Sequence, residues 1–202
     1  VKKLARSNVL VHEMNCVETL ARVNVLCVDK TGTITRPDMS VSDVVFLKDN
    51  VGKLIAGVAG NMDDDNETMK AIKNYYHITG RDNSAERVYS FSSQNKYSGA
   101  VLDGRCYIFG APEYVLLDTY AEYEDRFERY SGHGERILVF GECVGDPCGN
   151  IIEEAVNPYA FIILENEIRD TAKETFGYFA SQGVDIVVIS GDNPVTASKV
   201  AV

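Results

Sequence analysis

Two short apolar runs near opposite ends of the chain share one design. Val23 to Val28 (VNVLCV) is rich in β-branched residues and ends on Asp29, ahead of a Lys-Thr-Gly turn, while Val184 to Ile189 (VDIVVI) runs into Ser190-Gly191-Asp192. Runs of this length and composition read as buried strands that deliver side chains to loops at their C-terminal edges. Ahead of the second, Asp170 to Gln182 has an amphipathic helical period and closes at Gly183, and another helix is expected from Pro194. Strand, loop and helix repeated in this order predict a parallel α/β sheet with its site at the strand C-terminal ends.

The middle of the chain follows a period of two. Strands are expected over Val41 to Leu47, Arg87 to Phe91, Tyr97 to Leu102, Arg105 to Phe109 and Arg136 to Glu142, and Asp103-Gly104 between two of them signals a tight hairpin. Helices are expected over Glu67 to Tyr76, Pro112 to Leu117 and Ala121 to Tyr130. The fold class that follows is α/β: a parallel-sheet core interrupted by an inserted α+β domain with an antiparallel sheet. The expected division is residues 1–37 and 161–202 for the core and 38–160 for the insertion. The opening stretch to Pro37 is basic and the insertion acidic, a contrast that suits a boundary near Arg36-Pro37.

Composition narrows the functions. With 202 residues and 45% hydrophobic content, the chain can bury a full core. Its net charge of -10 and lack of a long basic run argue against a nucleic-acid partner. The longest uninterrupted apolar stretch, near Ala160 to Leu164, is far short of the ~20 residues that span a bilayer. Cys16, Cys27, Cys106, Cys143 and Cys148 are scattered without C-x-x-C spacing and read as reduced thiols. The triple Asp63-Asp64-Asp65 reads as a solvated helix start, and His12, His77 and His133 lack ligand spacing.

Asp29-Lys30-Thr31-Gly32-Thr33-Ile34-Thr35 carries the chemistry. A carboxylate followed by small hydroxyl residues and glycine suits a phosphoryl acceptor cradled by backbone amides. A bare D-x-T-G would read as an ordinary turn, but the full string matches D-K-T-G-T-[LIV]-T at every position. On that string the chain resembles the P-type cation-transporting ATPases, a branch of the haloacid dehalogenase superfamily. The resemblance implies that Asp29 is phosphorylated, with Lys30 and Thr31 beside it. It also implies Mg2+ held by the Asp29 side chain and the Thr31 main-chain carbonyl. Phosphatases of the superfamily carry an acid-base aspartate two residues after the nucleophile. Thr31 stands there and cannot do that work near neutral pH, so an ester on Asp29 would persist as a transport intermediate should.

Other stretches extend the resemblance. Ser190-Gly191-Asp192 resembles the T-G-D loop that binds the transferred phosphoryl group, with serine retaining the hydroxyl. Phe91-Ser92-Ser93-Gln94-Asn95-Lys96 resembles F-S-x-x-x-K, whose ring stacks on adenine and whose lysine lies near the nucleotide. Gly110-Ala111-Pro112-Glu113 resembles the end of K-G-A-P-E, where glycine admits adenine to the backbone. Arg136 stands where a family arginine contacts phosphates, and Arg169 closes Asn166-Glu167-Ile168-Arg169, a counterpart of D-x-x-R. Three positions depart from the pattern: Phe109 replaces a lysine, Ser93 an arginine, and Asn166 a carboxylate. Weak ATP binding is the expectation.

The resemblance implies ATP as substrate, a place on the cytoplasmic face of a membrane, and the actuator and transmembrane parts of the same polypeptide as partners. This stretch alone is expected not to turn ATP over, because the family's phosphate-neutralising lysine and G-D-G-x-N-D loop are not in it. The F-S-x-x-x-K and G-A-P-E elements lean towards a pump for a hard cation, calcium foremost. A soluble haloacid dehalogenase-type phosphatase and a non-catalytic nucleotide-binding module are the alternatives.

Overall fold

In the computed structural model the described residues are Arg6, Leu10, Glu13, 15–63, 66–131, 135–145 and 152–189. Their elements are α1 (Cys16–Leu20), β1 (Val25–Asp29), a π-helical turn (Lys30–Ile34), β2 (Thr35–Phe46), α2 (Val51–Asn61), α3 (Glu67–Tyr75), β3 (Arg87–Tyr89), β4 (Tyr97–Leu102) and β5 (Arg105–Gly110). There follow α4 (Pro112–Val115), a 3-10 turn (Leu117–Glu122), α5 (Glu124–Ser131), β6 (Arg136–Cys143), β7 (Asn157–Ile168), α6 (Ala172–Ser181) and β8 (Asp185–Ile189).

The two sequence-distant apolar runs pair as expected. β1 and β8 are parallel neighbours in register from Val25↔Asp185 to Asp29↔Ile189. The inserted part is an antiparallel six-stranded sheet in the order β2-β7-β6-β5-β4-β3. The hairpin between β4 and β5 turns on Asp103 and Gly104, both at positive φ (50° and 70°), the geometry for which Asp-Gly is favoured.

Alternation along these strands divides the interior into two layers. Tyr107, Phe109, Phe140, Ala160, Ile162 and Leu164 face α2 and α3, meeting Val51, Ile55, Val58, Met69 and Ile72. Cys106, Ile108, Val139, Phe161 and Ile163 face the other way, towards Val115, Leu116 and Phe127 around α4 and α5. A sheet covered on both faces needs apolar residues at successive positions. That is why Ala160 to Leu164 is an uninterrupted apolar run. It is the centre of β7.

Three differences from the sequence reading have physical causes. β7 extends well to both sides of its apolar centre, and its polar ends, Asn157 and Glu165–Ile168, hid its length. α2 escaped notice because Gly52, Gly57 and Gly60 lower helix propensity; its Val51, Ile55, Val58 and Ala59 nonetheless form one buried stripe. Pro37 marks no end of structure. It lies inside β2, an edge strand where proline is tolerated, at a break in register between Thr35 and Met39. Both expected boundaries, after residues 37 and 160, thus fall within continuous strands.

Gly110, at the end of β5, sits where the α4 layer presses closest. A Cβ there would lie 2.2 Å from Val115 Cγ1 and 3.1 Å from Tyr97 Cβ. Gly110→Ala should therefore destabilise the chain by about 3 kcal/mol through overpacking. Urea unfolding measures this, and a loss under about 1 kcal/mol would show that Val115 yields freely.

Candidate functional site

Asp29 is the last residue of β1, and its side chain is exposed at the C-terminal edge of the parallel pair. Its register partner, Ile189, ends β8. The next residues in sequence, Ser190, Gly191 and Asp192, lie outside the described residues.

The loop after Asp29 is held from two sides. Ile34 and Thr35 are buried at 1% and 3% exposure and anchor its end. Gly32, at φ 77°, donates its N–H to Thr35 Oγ1 at 3.2 Å. Arg169, immediately after β7, donates its backbone N–H to the Ile34 carbonyl at 3.0 Å and its guanidinium to the Gly32 carbonyl at 3.0 Å. The loop's shape is thus tied to the strand that returns from the six-stranded sheet.

Three residues before Arg169, Asn166 repairs the break in that strand pair. The β2–β7 ladder is interrupted between Thr35 and Met39, and Met39 is the register partner of Asn166. The Asn166 side-chain amide donates to the carbonyls of Asp38 at 3.1 Å and of Arg36 and Pro37 at 3.5 Å. Arg36 adds exposed ion pairs to Asp170 at 3.2 Å and Glu167 at 3.5 Å, which contribute little in solvent. A carboxylate at position 166 has no proton to donate to carbonyls. The change from the D-x-x-R pattern is therefore a gain of a clasp between the connecting strands.

A second site forms on the α3 side of the six-stranded sheet. A cavity of about 310 Å³ is lined by Phe91, Lys96, Arg136, Ser98, Phe109, Met39 and Leu138, and by Asn66 to Met69 at the start of α3. Asn66 caps that helix, accepting the Met69 N–H at 2.9 Å. Lys96 reaches the cavity from a tight turn in which its own φ is 59°, its N–H donates to the Ser92 carbonyl at 2.9 Å, and its carbonyl accepts the Ala111 N–H at 3.1 Å. Phe91 is 43% exposed, an aromatic face open to solvent. Phe109 belongs at once to the cavity wall and to the core, 2% exposed and with its ring centroid 4.8 Å from that of Phe140.

The structure therefore brings Phe91, Lys96 and Arg136 together and separates two other residues expected with them. Gly110 does not line the cavity, because it points into the α4 layer. Arg169 lines a different cavity, of about 340 Å³, with Arg36, Pro37, Asp38, Asp170 and Thr171. Ser93 is exposed and away from both linings. The sequence reading missed Glu67 and Thr68. The signal for them was the capping asparagine before a helical period, which fixes where a helix start points.

ATP fits the donors and surfaces of the α3-side cavity: an open ring for a base, and two cations for phosphates. For Mg2+, no cluster of three or more His, Cys, Asp or Glu occurs among the described residues. This ion binds through one or two carboxylates while keeping waters, so the exposed Asp29 carboxylate with the Thr31 main-chain carbonyl suits it.

A family model described as a haloacid dehalogenase-like hydrolase matches residues 23–202. The chain belongs to that family. This haloacid dehalogenase-like chain is 38% identical over 203 residues to the calcium-transporting ATPase CtpE of Mycolicibacterium smegmatis, covering 100% of this chain and 25% of the relative. It is 36% identical over 209 residues to the probable cation-transporting ATPase exp7 of Streptococcus pneumoniae, with 100% and 26% covered. The chain thus spans about a quarter of the length of these relatives. Among solved structures, the catalytic domain of the CPx-ATPase CopB-B is similar in fold, with a TM-score of 0.67 at 12% identity over 99% of this chain and 67% of that one. The resemblance to the catalytic region of P-type cation-transporting ATPases holds over the whole chain. Among the described residues no helix is long and apolar enough to cross a membrane.

Replacing the clasp by the family's carboxylate, Asn166→Asp, should lose about 1–2 kcal/mol, since donated bonds become oxygen-oxygen contacts. Amide exchange at residues 38–40 and 166–169 should accelerate with it. Unchanged exchange there would show that the side-chain amide does not hold the strands.

Proposed function

We propose that this chain is the nucleotide-binding and phosphoryl-accepting region of a P-type pump, in which the γ-phosphoryl group of ATP passes to Asp29 and is later lost while a cation crosses a membrane. The observation that carries the proposal is the pair of sites joined by β2 and β7. Asp29 stands at a strand end in a loop tied to Arg169, and Phe91, Lys96 and Arg136 line a cavity on the sheet that these strands enter. The proposed division is a parallel-sheet core and an inserted nucleotide domain, with β2 and β7 as the connection.

In this reading an adenine stacks on Phe91, and the Lys96 and Arg136 cations lie towards the phosphates. The Glu67 carboxylate is an acceptor for the base's amino group. The phosphates extend towards Asp29, whose carboxylate attacks the γ-phosphorus in line as the β-phosphate oxygen leaves. Lys30 neutralises charge that develops there, and the loop amides and the Ser190 hydroxyl bind the transferred group, with Gly191 allowing close approach and Asp192 beside it. Mg2+ on Asp29 and the Thr31 carbonyl supplies further neutralisation of the phosphate charge. Arg169 is assigned to orienting the Asp29 loop rather than to gripping the base. Thr31 supplies no general base, so hydrolysis of the ester depends on a group from elsewhere in the polypeptide.

Calcium is the proposed cargo, on the strength of the CtpE relative. The remaining parts of the pump, actuator and membrane-spanning, are the proposed partners, which places this chain on the cytoplasmic face.

Two measurements test the assignment. Titration of the chain with ATP, followed by backbone NMR shifts, should perturb Phe91, Lys96, Glu67 and Arg136, and Phe91→Ala should weaken binding about tenfold, the worth of one base-aromatic stack. Shifts confined to other surfaces would overturn the cavity assignment. In the complete polypeptide, labelled ATP should give an acid-stable, hydroxylamine-sensitive phosphoenzyme when calcium is present. Asp29→Asn should abolish it, and label surviving that substitution would remove Asp29 from its role.

A further inference from the structure

Two cysteines that lie far apart in sequence meet in the fold, on the face of the six-stranded sheet opposite the nucleotide cavity. Cys106 in β5 and Cys143 in β6 are direct register partners. Both belong to the α4-side core, at 5% and 6% exposure, and both are free thiols. Directly opposed residues of an antiparallel pair have Cα atoms about 4.5–5.5 Å apart, inside the range a disulfide bridges. Neither sulfur takes part in the proposed chemistry at Asp29 or at Phe91.

The environment makes the pair unequal. The Cys106 S–H donates to the Cys143 sulfur, which holds the Cys143 thiol below its ordinary pKa and, with burial, pushes that of Cys106 up. Cys143 is therefore the better thiolate and nucleophile of the two. Access exists as well. A cavity of about 590 Å³ is lined by both cysteines and opens beside the β4–β5 hairpin, with Arg105, Glu86 and Glu142 around it. The cavity mouth carries both signs of charge, Arg105 ion-paired with Glu142 at 3.9 Å and the Glu86 carboxylate nearby, which suits a zwitterionic small molecule.

We propose that Cys106 and Cys143 form a dithiol modification site that a small, zwitterionic disulfide oxidises to a cross-strand disulfide. Cys143 as thiolate attacks one sulfur of the small disulfide, forming a mixed disulfide and expelling the first small thiolate. Cys106 then gives up its proton, attacks the Cys143 sulfur and expels the second. The protein loses two electrons and two protons, and the small disulfide is reduced to two thiols. The new bond closes a loop that runs from β5 through α4 and α5 to the end of β6, so it restricts the unfolded chain and raises the thermal midpoint.

The probe is glutathione disulfide, added to the folded chain at neutral pH, followed by acid quench and peptide mapping. The expected product is a Cys106–Cys143 linkage that dithiothreitol reverses, accompanied by a higher thermal midpoint. Cys106→Ser should stop at a glutathione adduct on Cys143, whereas Cys143→Ser should leave Cys106 unmodified. Circular dichroism confirms that each variant is folded, and the mapping of the unsubstituted chain stands without them. Adducts on the exposed Cys27 alone, or a linkage from Cys143 to any cysteine other than Cys106, would overturn the proposal.

Discussion

The antiparallel pairing of β2 with β7 is the interaction on which the rest of the structure depends. β2 leaves directly from the loop that follows Asp29, and β7 returns directly to Arg169 and α6. At their far ends the same strands pair as Phe46↔Ala160, along the edge of the six-stranded sheet, and at their near ends as Thr35↔Ile168, beside the Asp29 loop. Two linkers of irregular chain in their place would let the nucleotide cavity drift relative to the acceptor. Paired strands restrict that freedom, yet the break between Thr35 and Met39 removes ladder bonds from one short stretch. Bending there costs less than along a regular stretch of the ladder. Asn166 sits at that stretch with a donor that can follow the carbonyls as they move, joining them without the rigidity of a regular ladder.

This connection also explains which parts of the molecule could be read from the sequence. The parallel pairing of β1 with β8 and the hairpin at Asp103-Gly104 were legible because each rests on a local pattern: a short apolar run in the first case, a turn dipeptide in the second. The length of β7 was not legible. Its C-terminal end, paired with the edge strand β2, is largely exposed and its first residue, Asn157, is exposed as well, so hydrophobicity marks only its middle. α2 was hidden by three glycines, whose cost is offset by the stripe from Val51 to Ala59 that they do not interrupt. Pro37 pointed to a boundary by a sound local rule, and the edge position of β2 removed the rule's force.

At the sites, residue type was legible and grouping was not. Phe91 and Lys96 belong to one short motif, but Arg136 joins them from a distant strand, which no spacing argument shows. Arg169 differs because its partner is a carbonyl. A guanidinium can serve a phosphate or a main-chain oxygen with the same donors, and only the placement of Gly32 in the turn ahead of β2 decides between them. Gly110 differs because the same lack of a side chain that admits a ligand on one face admits Val115 on the other. Cys106 and Cys143 were unreadable as a pair for a related reason: their register is set by β5 and β6 pairing across the whole α4–α5 excursion.

Phe109 shows how the two layers constrain the nucleotide site. In the family pattern a lysine stands here, and on charge alone its loss implies a weaker hold on phosphates. The position is nonetheless 2% exposed and packed against the tilted ring of Phe140, so an ammonium in its place would have to be desolvated in the core. The chain instead uses an aromatic ring that fills the core and presents part of its surface to the cavity. For the proposed nucleotide, the wall offers apolar contact in place of charge at this position, while Lys96 and Arg136, both with access to solvent, remain as cations. Were the proposed nucleotide to bind here, its base would count for more than the number of its phosphates, because screened surface cations distinguish charges poorly. The replacement follows from the packing of one strand, β5, whose alternate residues must serve a core on each face.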